Sequence, residues 1–315
     1  MNSAVCTLFE GQYHYGLAAL VNSLFKSGYR GQIFAGYKGS IPEWAASAQE
    51  NRSLPWQGAL SLSVGEELKL NFVKIETEYH LTNYKPFFMT EILQDVNANF
   101  DAVVYFDPDI TTKCDWRFFE TWISNGIALV QDIHNNMAPT HPLRMEWKKI
   151  IKKAGRKTTH DLYSYFNGGF CGVSKQNAEF LRVWIDVIGA GVKYFDFTPN
   201  NWDNRFDRGY IFYKHDQDTL NIAAMCCDSP ISEMGPDGMD FVHGGFTMSH
   251  AVGSPKPWKN NFTLSAITGR PPSIADKAYW QSVSGPIKPY HSTQVRVRKM
   301  SILVASFISR FYRRS

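Results

Sequence analysis

Along the first hundred residues, short apolar runs alternate with segments whose apolar positions return every three or four residues. Residues 4–9 are the first such run and predict a strand. Residues 13–26 carry Leu17, Leu20, Val21 and Leu24 at helical spacing, and Gly28 supplies a stop. Residues 32–37 and 70–75 predict two more strands. Residues 42–49 predict a short helix with proline at a tolerated early position. Residues 54–68 show no clear period. Residues 84–93 predict a helix leading into a buried strand at 102–106. This strand–helix alternation argues for a parallel sheet with helices on both faces.

The second half is more broken. Residues 116–123 and 143–153 predict helices, and 127–131 an apolar strand ending in Asp132. Residues 165–173, YFNGGFCGV, predict a strand interrupted by Gly168 and Gly169, where another group approaches closely or the strand bulges. Ser174 is placed to cap a helix with Phe180, Trp184, Val187 and Ile188 inward. Residues 158–160 read as a loop, and residues 196–213 as a polar and aromatic insertion. Residues 216–227 predict a helix with acids in its first turn. From Met234 to Trp258 the chain is rich in Gly, Pro and His and has little period.

Composition adds limits rather than an identity. The chain has 315 residues, is 44% hydrophobic and 15% aromatic, and so supports a large core. No run is apolar enough to span a bilayer, and the first residues lack the pattern of a signal peptide. Five cysteines without a CxxC spacing suggest free thiols in a reducing cytoplasm. The net charge of +4 is uneven: residues 291–315 carry six basic residues and no acid, which leaves −2 for the rest. The body therefore shows no basic footprint for nucleic acid.

The charged tail has a pattern of its own. Met300, Leu303, Val304, Phe307, Ile308 and Phe311 make one apolar stripe, with Arg298, Lys299, Ser306, Ser309, Arg310 and Arg313 on the other side. This is a basic amphipathic helix, suited to an anionic membrane interface or to docking on the body. The expected organisation is residues 1–290 as one catalytic domain and 291–315 as the tail, in a cytoplasmic protein that can sit on the inner face of the membrane.

Candidate chemistry begins at residues 101–109, DAVVYFDPD. The strand delivers Asp107 and Asp109 to its C-terminal end, and Pro108 stops it. Two acids at that spacing can share a hard divalent cation, at the end of an open sheet where ligands bind. An ordinary acidic turn gives the same three letters.

Four motifs in order change the balance: FDPD at 106–109, FNGG at 166–169, HDQDTLN at 215–221 and HAVGSPKPW at 250–258. Together they resemble the family 8 glycosyltransferases and their relatives. The resemblance implies a GT-A (Rossmann-like) α/β fold, with a mixed, mostly parallel sheet flanked by helices. It implies retaining transfer of a hexose from a nucleotide diphosphate sugar, expected to be UDP-linked, to a hydroxyl of a glycan or glycolipid. Asp107, Asp109 and His250 become the metal ligands. A mixed carboxylate–imidazole set suits Mn²⁺, with Mg²⁺ as a substitute.

By the same resemblance Gly253 and Lys256 meet the diphosphate, and Asn167, Asp132, Asp216 and Gln217 the transferred sugar. Lys85 lies near nucleotide and sugar, and Thr7 and Leu8 near the base. No carboxylate is clearly placed as a covalent nucleophile, and the amide of Gln217 is a weak one. Front-face attack is therefore expected, with the departing phosphate helping to deprotonate the acceptor. The first-strand motif lacks the acids usual in the family, and Gly169 replaces a different small residue. A metal-dependent nucleotide-sugar hydrolase or nucleotidyltransferase, and a catalytically inactive membrane-associated binding protein, are the alternatives.

Overall fold

The computed structural model of the chain describes residues 1–65, 67–95, 98–200 and 209–311. Part of the 196–213 insertion, and Arg313 of the tail, lie outside these residues. The strands are β1 (Ser3–Glu10), β2 (Gln32–Lys38), β3 (Gln49–Glu50), β4 (Leu60–Ser63), β5 (Lys69–Lys74), β6 (Ala102–Phe106), β7 (Ile110–Thr112), β8 (Ile127–Asn136), β9 (Ser164–Phe166), β10 (Phe170–Ser174), β11 (Ile231–Met234) and β12 (Met248–His250). The α-helices are α1 (His14–Lys26), α2 (Lys85–Leu93), α3 (Trp116–Ser124), α4 (Pro142–Lys153), α5 (Glu179–Tyr194), α6 (Asp216–Cys226), α7 (Phe262–Ile267), α8 (Ile274–Ser282) and α9 (Ser292–Ile308).

The main sheet runs β11-β8-β10-β6-β1-β2-β5-β4-β3, with β9 on β8. Its centre is parallel: β1 pairs with β2 and β6, and β2 with β5. β10 enters antiparallel between β6 and β8. The sheet is therefore mixed and mostly parallel at its core. One face is covered by α2, α4, α5 and α6 through Phe88, Trp147, Trp184 and Leu220. The other is covered by α1 and α3 through Leu17, Leu24, Phe119 and Trp122. Burying one of these leucines contributes about 2 kcal/mol. A third apolar cluster joins Trp258, Phe262, Trp280, Ile302 and Ala305 under α7, α8 and α9.

Several local expectations change. Residues 42–49 form a single 3₁₀ turn, Glu43–Ala45, and then enter β3. The segment lacks the length for a helix and finds β4 as a partner instead. Within the stretch that showed no period, β4 pairs antiparallel with β5. Residues 165–173 are not one strand: the chain turns at Asn167–Gly169, separating β9 from β10. Asp132 sits within β8, which runs on to Asn136 because β9 pairs with that extension. Ser174 precedes a 3₁₀ turn with no capping bond from its side chain, and α5 starts only at Glu179.

The tail helix α9 turns Ile302 and Ala305 inward. Arg298 also turns in: its Nη1 donates to the Asn260 carbonyl at 2.8 Å, and its guanidinium lies 5.9 Å from the Trp280 ring centroid. It lies opposite the apolar stripe, as the sequence pattern has it, and that side meets the body. The stem of an arginine packs well on an aromatic surface, and a backbone carbonyl takes up its donor.

Candidate active site

The site forms where β6 ends. Asp107 N–H donates to the Gly169 carbonyl at 2.7 Å, continuing the β6–β10 pairing for one more residue. Pro108 then breaks the ladder. Ile110 N–H closes the turn on the Asp107 carbonyl at 3.0 Å, and the chain leaves as β7. β12 pairs antiparallel with β7, with His250 opposite Ile110. Ala251 N–H donates to the Asp109 carbonyl at 3.1 Å. This small ribbon carries His250 to the two aspartates.

Asp107, Asp109 and His250 each offer one ligand atom, and these atoms lie within 4.8 Å of one another. His250 Nε2 is 3.3 Å from Asp109 Oδ1 and 3.8 Å from Asp107 Oδ2. Two carboxylates and one imidazole this close together suit a divalent cation that takes further ligands from elsewhere. Asp109 and His250 are buried, while Asp107 is partly open to the cavity. Burial works against the Asp109 charge, but His250 and Lys256 hold its carboxyl well below the usual range. The Lys256 ammonium donates to Asp109 Oδ2 and, at 2.9 Å, to the Ala251 carbonyl.

Lys85 stands on the other flank and is only 1% exposed. Its ammonium lies 2.7 Å from Asp216 Oδ2, 3.1 Å from Asp107 Oδ1 and 2.8 Å from the Gly168 carbonyl. Burial disfavours this charge, yet Asp107 and Asp216 together raise the lysine pKa. Tyr105, two residues before Asp107 on β6, donates its hydroxyl to Asp107 Oδ1 at 2.9 Å.

A second network centres on Asp132. Its Oδ2 accepts from Asn167 Nδ2 at 3.0 Å and from Gln217 Nε2 at 3.1 Å. The other ends of those amides are used as well: Gly169 N–H donates to Asn167 Oδ1 at 2.9 Å and Gly168 N–H to Gln217 Oε1 at 3.0 Å. Lys214 Nζ is 3.7 Å from Asp132 Oδ1. The FNGG turn, the start of α6 and β8 are therefore tied together.

The two glycines are required by close approach. A Cβ on Gly168 would lie 2.8 Å from Asp216 Oδ2, and one on Gly169 would lie 2.5 Å from His250 Cε1. His215, just before α6, has φ +45°, an uncommon conformation for a residue with a side chain. Below the site, Asp218 Oδ1 accepts from the Tyr165 hydroxyl at 2.6 Å and Oδ2 from Lys214 N–H at 2.6 Å. Burial pushes the Asp218 carboxyl up to about 7, against the pull of Tyr165 and Lys214.

These groups line a cavity of about 460 Å³. Asp107, Asp109, His250, Lys85, Asp216, Gln217 and Asn167 lie along it, with Gly253 and Lys256. Gly253 has φ +83°, a backbone shape suited to glycine. Leu8, Phe9 and Tyr13 provide an apolar part of the wall. Asp132 lines a smaller adjoining hollow with Asn167, Lys214 and Gln217. Thr7 is fully buried and does not line the cavity. The sequence reading missed Tyr105, Lys214 and Tyr13. Tyr105 was accessible through strand alternation with Asp107, and Lys214 through its place directly before HDQD. Tyr13 is aromatic and 37% exposed, and its ring centroid is 5.8 Å from Lys256 Nζ.

The mixed sheet, with an Asp-Pro-Asp turn at the end of a central parallel strand and a histidine brought beside it, is the GT-A fold of glycosyltransferases. Among solved structures, the chain is similar to the galactosyltransferase LgtC, crystallised with donor and acceptor sugar analogues. Identity is 16% and the TM-score 0.52, over 94% of this chain and 99% of that one. It is similar to the bifunctional glycosyltransferase WbbM at 12% identity and TM-score 0.50, over 95% of this chain. It spans 52% of WbbM, about half that chain's length. The glycosyltransferase GlyE of Streptococcus pneumoniae matches at 15% identity and TM-score 0.50, over 96% of this chain and 64% of that one. No family model matches the sequence, and no curated protein matches it. At these identities the likeness is one of fold.

Proposed function

We propose that the protein is a retaining glycosyltransferase that moves a hexose from a UDP-sugar to a hydroxyl of a glycan or glycolipid. The observation that carries this reading is the convergence of Asp107, Asp109 and His250 on a cavity that also holds Lys256 and the Asp216–Gln217 pair. The donor and acceptor analogues bound to LgtC support a two-substrate cavity in this fold.

Asp107, Asp109 and His250 would hold Mn²⁺, with Mg²⁺ able to substitute; when bound, the ion supplies Lewis-acid stabilisation of the departing diphosphate. The chain's own groups do the rest. Lys256 presents a second cation to the diphosphate beside the Gly253 backbone. Leu8, Phe9 and Tyr13 offer an apolar wall to the base. Thr7 is too buried to take the part suggested for it. Lys85 fixes the Asp216 carboxylate, which accepts hydrogen bonds from sugar hydroxyls. Asp132, Asn167 and Gln217 form the rest of the sugar wall.

Gln217 has both amide ends engaged, so it positions rather than attacks. The acceptor oxygen then bonds to the anomeric carbon on the face that the phosphate leaves, and the acceptor proton passes to a phosphate oxygen. Positioning and electrostatic stabilisation supply most of the rate. The same reading includes attachment to an anionic membrane surface through residues 291–315.

A thermal-shift screen of nucleotide sugars with Mn²⁺ tests the donor site, because a ligand of the native state raises stability by mass action. The largest shift is expected from a UDP-hexose, and no shift from any nucleotide sugar overturns the reading. Product analysis with and without a glycan acceptor separates transfer from hydrolysis.

A further inference from the structure

The structure shows which side of the C-terminal helix is free. α9 packs on α7 and α8 through Ile302 and Ala305. Val297, Met300, Leu303, Val304 and Phe307 of α9, and Phe311 just beyond it, face away and are 45–75% exposed. Spaced three and four apart, they form one apolar stripe. Of the stripe read from the sequence, Ile308 packs on the third apolar cluster; its other members remain exposed among the described residues, and the opposite side of the helix makes most of the contact with the body. α7 lies against α9, with the Thr263 and Ser301 hydroxyls 3.1 Å apart. It adds Leu264 and Ile267, 58% and 57% exposed.

Charge selects the occupant. Residues 259–315 contain ten Lys and Arg and one acid, Asp276, for a net +9; the rest of the chain is −5. Asp276 is buried and closes the capping box of α8 with Ser273. Arg296 and Arg310 are exposed and border one side of the apolar stripe. An apolar stripe with a cationic border and no exposed acid among the described residues of this segment matches an anionic bilayer, which takes apolar side chains and attracts cations together.

We propose that α9 and the adjoining α7 form a docking face for an anionic lipid bilayer. This extends the tail attachment in the functional reading to a two-helix surface and does not depend on sugar transfer. It also bears on the acceptor. A second cavity of about 460 Å³ is lined by Ser265 of α7, Arg270 and the N-terminal turn of α8. It shares His250, Val252 and Gly253 with the donor cavity. A bilayer held against α7 is therefore next to an opening that leads to the metal histidine. An acceptor glycan anchored in that bilayer enters by this side.

The test is sedimentation of the full chain with phosphatidylcholine vesicles, with and without phosphatidylglycerol, at low and high salt. Binding is expected only with the anionic vesicles and weakens with salt. Leu303→Glu/Phe307→Glu, and separately Arg296→Gln/Arg310→Gln, should each weaken binding by roughly tenfold or more. Both pairs are exposed, so their melting temperatures should match the parent. Sugar transfer to a soluble acceptor should also be unchanged, which separates this proposal from the catalytic one. Wild-type protein left in the supernatant with anionic vesicles overturns the docking face. So does full binding by both variants. A solution dimer that Leu303→Glu/Phe307→Glu dissolves, without vesicle binding by the parent, assigns the face to a second copy of the chain instead.

Discussion

Lys85 and Asp216, 131 positions apart in the chain, meet at 2.7 Å in the floor of the cavity. The same ammonium lies 3.1 Å from Asp107, so one buried cation links the Asp-Pro-Asp turn to the start of α6. Removing it leaves two carboxylates facing each other without compensation. Lys85→Met is expected to lose about 3–5 kcal/mol of stability, as is usual when one partner of a buried pair is removed. Urea unfolding measures this. Lys85→Met/Asp216→Asn should recover part of the loss; a double mutant as unstable as the sum of the singles would show that the pair is not coupled.

Asp109 tests the cation. Its carboxylate is buried between His250 and Lys256 at a strand end, not in the apolar core. Asp109→Asn should fold, bind Mn²⁺ weakly by calorimetry, and transfer sugar at least about 10²-fold more slowly. Excess chelator should silence the wild type to a similar degree. Full turnover in either case excludes a metal at this position.

Gly169 tests how closely the ligand is held. A methyl at this position would lie 2.5 Å from His250 Cε1 and 3.0 Å from Asn167 Oδ1. Gly169→Ala should displace the imidazole, so Mn²⁺ affinity falls by more than the melting temperature would suggest. Unaltered Mn²⁺ binding would mean that the histidine can move at no cost.

Asp218 gives a pH signature. Burial raises its folded pKa to about 7, above the ordinary carboxylate value. The native state therefore holds this proton where the unfolded chain has released it. Its contribution to stability is fully present below the unfolded pKa and is lost as pH rises through the folded one. Asp218→Asn mimics the protonated form and lacks this dependence. Between about pH 5 and about pH 8 the variant should gain stability relative to wild type. Parallel melting curves across that range would exclude a raised Asp218 pKa.

Much of the site was readable because its chemistry is local. DPD, FNGG, HDQD and HAVG each put their key groups within a few residues, and β6 carries the apolar run that a buried strand requires. Which neighbours face the cavity was harder to read. In β1 every residue from Ser3 to Phe9 is buried, so no alternation marks Leu8 as lining the cavity and Thr7 as covered. The break between β9 and β10 is set by Asp216 and His250 pressing on the two glycines, contacts made by distant segments. The tail showed its stripe plainly. Which side the body would take was decided by α7 and α8, through Ile302 and Ala305.

The ribbon of β7 and β12 has a consequence for how the protein is made. Asp109 and its partner Lys256 are 147 positions apart, and His250 arrives only with β12. A nascent chain carries both aspartates long before it has His250 or Lys256. An amino-terminal fragment that stops short of β12 therefore carries only two of the three grouped side chains, even where its central strands have paired. The ribosome has to deliver the chain through β12 before the three side chains can meet.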